Sequence, residues 1–175
     1  YRLNDVTSSV GGLAFADDGK QLLVKSEIAL QTFDVASGEL LASVDAGGYS
    51  NWARLDASRA LVARQADGDR IDVHITDSGA LALSLHGHED TVWDGEFSAD
   101  SQRLVTSSQD GTIRTWDLRT GRALRTIQTG DNVYRIELFD GDRRAVTTSL
   151  DPARSALNVW DLEAGELLAA HPARD

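Results

Sequence analysis

The chain has 175 residues, 41% of them hydrophobic, with 15 glycines, two prolines (Pro152 and Pro172) and no cysteine. The lack of cysteine excludes a disulfide framework and a thiolate metal site, and no stretch reaches the roughly 18 apolar residues of a membrane-spanning helix. A formal net charge of −11, with 15 arginines scattered along the chain beside Lys20 and Lys25, argues against nucleic acid as a partner, because phosphate binding needs a concentrated basic face.

In chain order the sequence reads as four units of short strands. In the first, residues 4–44, Phe15 and Leu22 straddle a turn holding Asp17 and Asp18, and Phe33-Asp34 is followed by Val35, Gly38, Glu39, Leu40 and Leu41. The second, residues 45–85, has Leu55 and Leu61 about its turn, then His74 or Ile75 at the aromatic position, then Thr76, Asp77, Ser78 and Gly79. The third, residues 86–128, opens with His86, Gly87 and His88, sets Phe97 and Leu104 about the turn holding Asp100, and closes on Trp116-Asp117 followed by Leu118, Gly121 and Leu124. The fourth, residues 129–170, places Leu138 and Ala145 about Asp140 and Asp142, then Trp160-Asp161 with Leu162, Gly165, Glu166, Leu167 and Leu168, its outer strand spanning Leu167 to Ala170. Apolar pairs across polar turns are hairpin signatures. Trp160 lies 44 residues after Trp116 and Phe33 lies 83 before it, a spacing of one and two repeats.

Residues 86–128, ending in Trp116-Asp117, resemble a single WD40 repeat, one four-stranded blade of a β-propeller. The resemblance implies an all-β fold of four antiparallel blades over residues 1–175, as part of a larger ring of seven or eight blades. It further implies a chain that starts and stops inside an array, whose open edges seek the missing blades of the parent chain or another copy of themselves. In this family a His, a Ser or Thr, an Asp and the Trp form a hydrogen-bonded tetrad. The matching residues are His88, Ser107 (Ser108 if the register slips by one), Asp110 and Trp116. The first unit has Phe33 for the Trp and the second has neither Trp nor His, while the fourth keeps Trp160 with Thr147 or Thr148 and shows Asn132 near the His position. The third blade is therefore expected to be the most rigid and the second the most loosely packed.

The sequence offers little chemistry. There is no Gly-x-Ser-x-Gly elbow, no phosphate loop and no His-Glu-x-x-His pair, and Gly11-Gly12 and Gly47-Gly48 lack the helix a phosphate cradle uses. His86 and His88 beside Glu89 and Asp90 carry metal-ligand atom types, but a Gly-His opening is the ordinary start of such a unit. Arg54, Glu96, Arg135 and Glu137 fall near the inner strands without the spacing of a catalytic site. No cofactor, metal or enzymatic activity is expected. In the family the loops entering the first strands line a docking face, and here these positions are Gly11, Asn51, Trp93 and Tyr134, accompanied by Tyr49, Trp52 and Arg135. Trp93, Tyr134, Arg135 and Trp52 are the candidate partner contacts, being aromatic and Arg side chains of the hot-spot type. The resulting expectation is a non-enzymatic scaffold for a protein or peptide partner, cytoplasmic, without membrane attachment. The alternative is the sensor region of a larger bacterial multidomain enzyme with a kinase, protease or NTPase module. The arginine-rich acidic composition favours a bacterial or archaeal source.

Overall fold

In each unit a short polar turn reverses an apolar strand onto its successor, and the hairpins continue until four strands lie side by side. The computed structural model describes residues 10–15, 19–26, 29–45, 52–149 and 156–172. The first blade comprises β1 (Val10–Phe15), β2 (Gln21–Ser26), β3 (Ala29–Asp34) and β4 (Leu40–Asp45), and the second β5 (Ala53–Leu55), β6 (Leu61–Gln65), β7 (Ile71–Ile75) and β8 (Leu81–Leu85). The third comprises β9 (Val92–Phe97), β10 (Arg103–Ser108), β11 (Thr112–Asp117) and β12 (Ala123–Gln128), and the fourth β13 (Arg135–Phe139), β14 (Arg144–Thr148), β15 (Ala156–Asp161) and β16 (Glu166–Pro172). Each blade is a separate antiparallel sheet with its strands in sequence order. The last strand is longer at both ends than the Leu167 to Ala170 read from the sequence, because its ladder to β15 runs from the pair Asp161 and Glu166 to the pair Ala156 and Pro172.

The turn between the third and fourth strands shows why the repeats look as they do. Gly38, Gly79, Gly121 and Gly165 all have positive φ, and each N–H donates to the carbonyl four residues earlier at 2.8 Å. In three blades the residue supplying that carbonyl is the Asp of the closing pair, whose carboxylate also accepts backbone N–H groups inside the turn: Ser37 on Asp34, Arg119 and Thr120 on Asp117, Glu163 and Ala164 on Asp161. These bonds hold the carboxyls of Asp34, Asp117 and Asp161 below their ordinary pKa. The second blade has Ile75 there and lacks the cap. A register shift recurs on the outer ladder at Phe33, His74, Trp116 and Trp160, which makes His74, not Ile75, the residue in the Trp position.

Alternation along the strands sends every second side chain towards one neighbouring blade or the other, and the apolar ones meet in three buried clusters. Leu23, Leu30, Val44 and Val62 lie between the first and second blades. Trp52, Ile71, Val73, Leu85, Leu104 and Trp116 are among those between the second and third, and Val105, Ile113, Ile127, Ile136 and Trp160 among those between the third and fourth. Polar stitches join the same interfaces. Thr32 donates to the Thr76 carbonyl, Ser101 to the Asp56 carboxylate at 2.7 Å, and the Ala99 N–H to Asp142 at 2.8 Å. The inner strand β9 is in contact with both β5 and β13, and this line of inner strands positions the candidate site.

Candidate functional site

His88 follows Gly87, whose φ of 144° disfavours a side chain and where an added Cβ would stand 2.9 Å from the Arg114 guanidinium and 3.4 Å from the Trp116 ring. The imidazole is completely buried at its side chain. Its Nδ1 lies 2.8 Å from Asp110 Oδ2 and its Nε2 2.8 Å from Thr106 Oγ1, while Trp116 Nε1 donates to the same Thr106 hydroxyl at 2.8 Å. With the imidazole neutral, one assignment of protons satisfies all three contacts. Trp116 donates to Thr106, Thr106 donates to His88 Nε2, and His88 Nδ1–H donates to Asp110. Burial lowers the His88 pKa, favouring this neutral ring. Burial also acts to raise Asp110, but hydrogen bonds from Thr112, the Glu89 N–H and His88 outweigh it and bring the carboxyl down to about 2.

The structure therefore brings His88, Asp110 and Trp116 together, but the hydroxyl among them belongs to Thr106 and not to Ser107. Trp116 pairs with Leu104, so Thr106, two residues on, shares its face, whereas Ser107 pairs with Ile113 on the opposite face. Ser108 instead bonds the Asp90 and Thr91 carbonyls. In the fourth blade the same geometry selects Thr147, which accepts from Trp160 Nε1 at 3.0 Å. Phe33 fills the slot in the first blade and is fully buried. His74 fills it in the second, where the hydroxyl position is occupied by Arg64 and an ionic network replaces the tetrad. Asp72, almost buried, faces Arg64 at 3.8 Å and Arg70 at 3.2 Å and accepts from Ser84 at 2.7 Å.

His86 is exposed while His88 is buried with both ring nitrogens engaged, so the two do not converge as metal ligands. Among the described residues no group of three or more His, Asp or Glu side chains could hold a metal ion.

Where the chain enters the inner strands, three of the four candidate contacts meet. Trp93 and Tyr134 are in edge-to-face contact with ring centroids 5.7 Å apart, and the Arg135 guanidinium lies 5.3 Å over the Tyr134 ring. Arg135 is 54% exposed at its side chain. Trp52 does not join them. Its indole is 2% exposed, donates to the Val92 carbonyl at 3.1 Å, and lies so close over Gly95 that an added Cβ there would come within 2.7 Å of the ring. An aromatic residue at the strand entry looks like a loop residue, but β5 is short and Trp52 caps the hydrophobic cluster between blades instead. Tyr49 and Asn51 lie outside the described residues, and Gly11 falls within β1.

Sequence reasoning missed Asp94, fully buried at the centre of this mouth. It accepts from Arg54 with a shortest contact of 3.1 Å, faces Arg135 at 3.8 Å, and caps the Gly95 and Ile136 N–H groups. Glu96, two residues along, accepts the Leu138 N–H at 2.7 Å, so both carboxylates of β9 tie its edge to β13. Burial raises the pKa of each despite these bonds. Lys25 is pushed the other way, lowered by burial and then by Arg54 beside it. The only sequence signal for Asp94 was its polar identity between Trp93 and Gly95, two residues before Glu96 on the same strand.

Comparison with known proteins agrees with the repeat architecture. The family described as "WD domain, G-beta repeat" matches residues 79–117. The U3 small nucleolar RNA-associated protein 21 homolog of Schizosaccharomyces pombe is 34% identical over 146 residues, 82% of this chain and 16% of the relative. WD repeat-containing protein pop1 of the same yeast is 38% identical over 80 residues, 45% of this chain and 10% of the relative. The eukaryotic translation initiation factor 3 subunit I of Pyricularia oryzae is 32% identical over 84 residues, 47% of this chain and 25% of the relative. The chain thus spans a quarter or less of the length of each. All three are eukaryotic, so the expected bacterial source and the bacterial enzyme alternative gain no support from them. With four four-stranded blades, recurrent capped turns and a complete Trp–Thr–His–Asp chain in the third, the protein belongs to the WD40-repeat family of β-propellers.

Proposed function

We propose that this chain is a non-enzymatic scaffold that docks a protein or peptide partner on the mouth edged by Trp93, Tyr134 and Arg135. The observation that carries the reading is the ordered arrangement of two aromatic rings and one half-exposed guanidinium. Such side chains lose little rotamer freedom on binding and are the types enriched at interface hot spots. Their backs are supported by buried Asp94, which holds Arg135 and Arg54 in place without a charge of its own at the surface. The relatives add weight through their names, one being a subunit of an initiation factor and another, in Arabidopsis thaliana, a subunit of the THO complex. The two carboxylates of the mouth, Asp94 and Glu96, are each committed to a backbone or ionic contact, which fits a binding role.

The test is affinity capture with cross-linking, comparing the wild-type chain with Trp93→Ala and Arg135→Ala. Both variants are expected to lose the same captured proteins while retaining the wild-type circular dichroism spectrum and Tm. Full capture by both would place the docking face elsewhere.

A further inference from the structure

A cavity of about 190 Å³ lies between the first and second blades, walled by Leu23, Leu30, Leu55 and Val62 among others, with Lys25 and Arg54 in its lining. Its charge balance is uneven. Arg54 is paired with Asp94, and Arg135 turns to the same carboxylate, but Lys25 has no ion pair among the described residues. Lys25 also feels Arg54 and Arg135 as like charges, with Asp94 as their shared counter-charge. Three cations therefore lie about Asp94, with Glu96 the next carboxylate near Arg54, in a protein whose net charge is −11. A half-buried ammonium beside two guanidiniums is a place where an added carboxylate is attracted by all three cations.

The cavity also constrains what else that ligand carries. It is smaller than the roughly 300 Å³ at which sites for whole drug-sized ligands begin, and its walls are aliphatic, so it holds one apolar side chain rather than an extended lipid tail. A carboxylate directly adjoining a single apolar side chain describes the last residue of a polypeptide. We propose that this cavity captures the C-terminal residue of a partner peptide, with its side chain among Leu23, Leu30, Leu55 and Val62 and its α-carboxylate between Lys25 and Arg54. The pocket stands on the first two blades, so it extends the docking reading without depending on the Trp93 patch.

The experiment is calorimetric titration of the 175-residue chain with the hexapeptide acetyl-Gly-Ser-Gly-Ser-Ala-Leu as the free acid. Amidating the peptide, replacing its last residue by Gly, and the Lys25→Gln variant are each expected to weaken binding by about tenfold or more, a difference of about 1.4 kcal/mol. Lys25→Arg, which keeps the charge, retains binding and guards against a folding artefact, as does an unchanged circular dichroism spectrum for Lys25→Gln. Equal binding of acid and amide, full binding by Lys25→Gln, or no binding of the free acid overturns the proposal. So does hexanoate binding as tightly as the peptide, which would make the ligand a small carboxylate. Trp93→Ala leaves this titration unchanged, so loss of partner capture by that variant and loss of the terminal peptide are read separately.

Discussion

At the scale of single residues, Thr106 concentrates the polar chemistry of the third blade. Its hydroxyl accepts from Trp116 and donates to His88, so Thr106→Val keeps the shape and strands an indole N–H and an imidazole nitrogen in a site with no exposure. Leaving buried partners unsatisfied costs about 1 to 3 kcal/mol each, and a loss of about 2 to 5 kcal/mol is expected in urea unfolding. Ser107→Ala, one position away, removes only a 3.5 Å contact to the Asp94 carbonyl and should cost less than about 1 kcal/mol. A second prediction concerns protons. His88 has a folded pKa below 6.5, so the unfolded chain binds its proton first as the pH falls, and the stability that neutral His88 contributes is lost on descending below about 6.5. Asp110, lowered from 3.8 to about 2, adds a second loss only in strongly acid solution. Asp94 and Glu96, raised by burial, act oppositely and favour the fold as they protonate. Comparing unfolding of the wild type and His88→Gln between pH 7 and 5 isolates the first effect, the variant showing the shallower slope.

At the scale of the element, the turn between third and fourth strands is a cassette with one missing part. Ile75 occupies the position where Asp34, Asp117 and Asp161 cap their turns, and it is already 41% exposed. Ile75→Asp is expected to stabilise the chain by about 0.5 to 1 kcal/mol, the net value of an ordinary hydrogen bond less the small apolar area given up. A thermal melt that moves downward would contradict this. The same cassette explains what was legible from the sequence. Closing pairs, their glycines and the apolar residues about each inner hairpin recur at fixed spacing because each performs one local task, so the four blades could be read directly. Parity was harder. Thr106, Ser107 and Ser108 are three hydroxyl residues in a row, all buried, and only the pairing of Leu104 with Trp116 decides which faces the indole. Trp52 and Asp94 were misread or missed for a different reason. Their roles come from contacts with a neighbouring blade, about 40 residues away in the chain, which no local pattern announces.

At the scale of the whole molecule, four blades are joined by three apolar interfaces, and the last blade has a face with nothing of the kind described against it. On that face Phe139 is 41% and Leu157 50% exposed, with Val146 and Val159 half-buried between them. The double variant Phe139→Asp/Leu157→Asp should hold its molar mass constant in light scattering as concentration rises, while the wild type increases. A wild-type mass independent of concentration would show this face to be satisfied.

The interface between the first and second blades differs from the others in kind. Arg64 and Asp72 share the face of Val62, so an almost buried ion pair looks towards the first blade where the third and fourth blades turn a Trp and a Thr towards their predecessors. Blades of one family are nearly interchangeable in outline, and a chain of them could stack in the wrong order or trade places between copies. A slipped arrangement would oppose this pair to a slot built for an indole and leave a buried charge without its surroundings, at a cost of several kcal/mol. The blade that departs furthest from its family is thereby the one least able to trade places with the others.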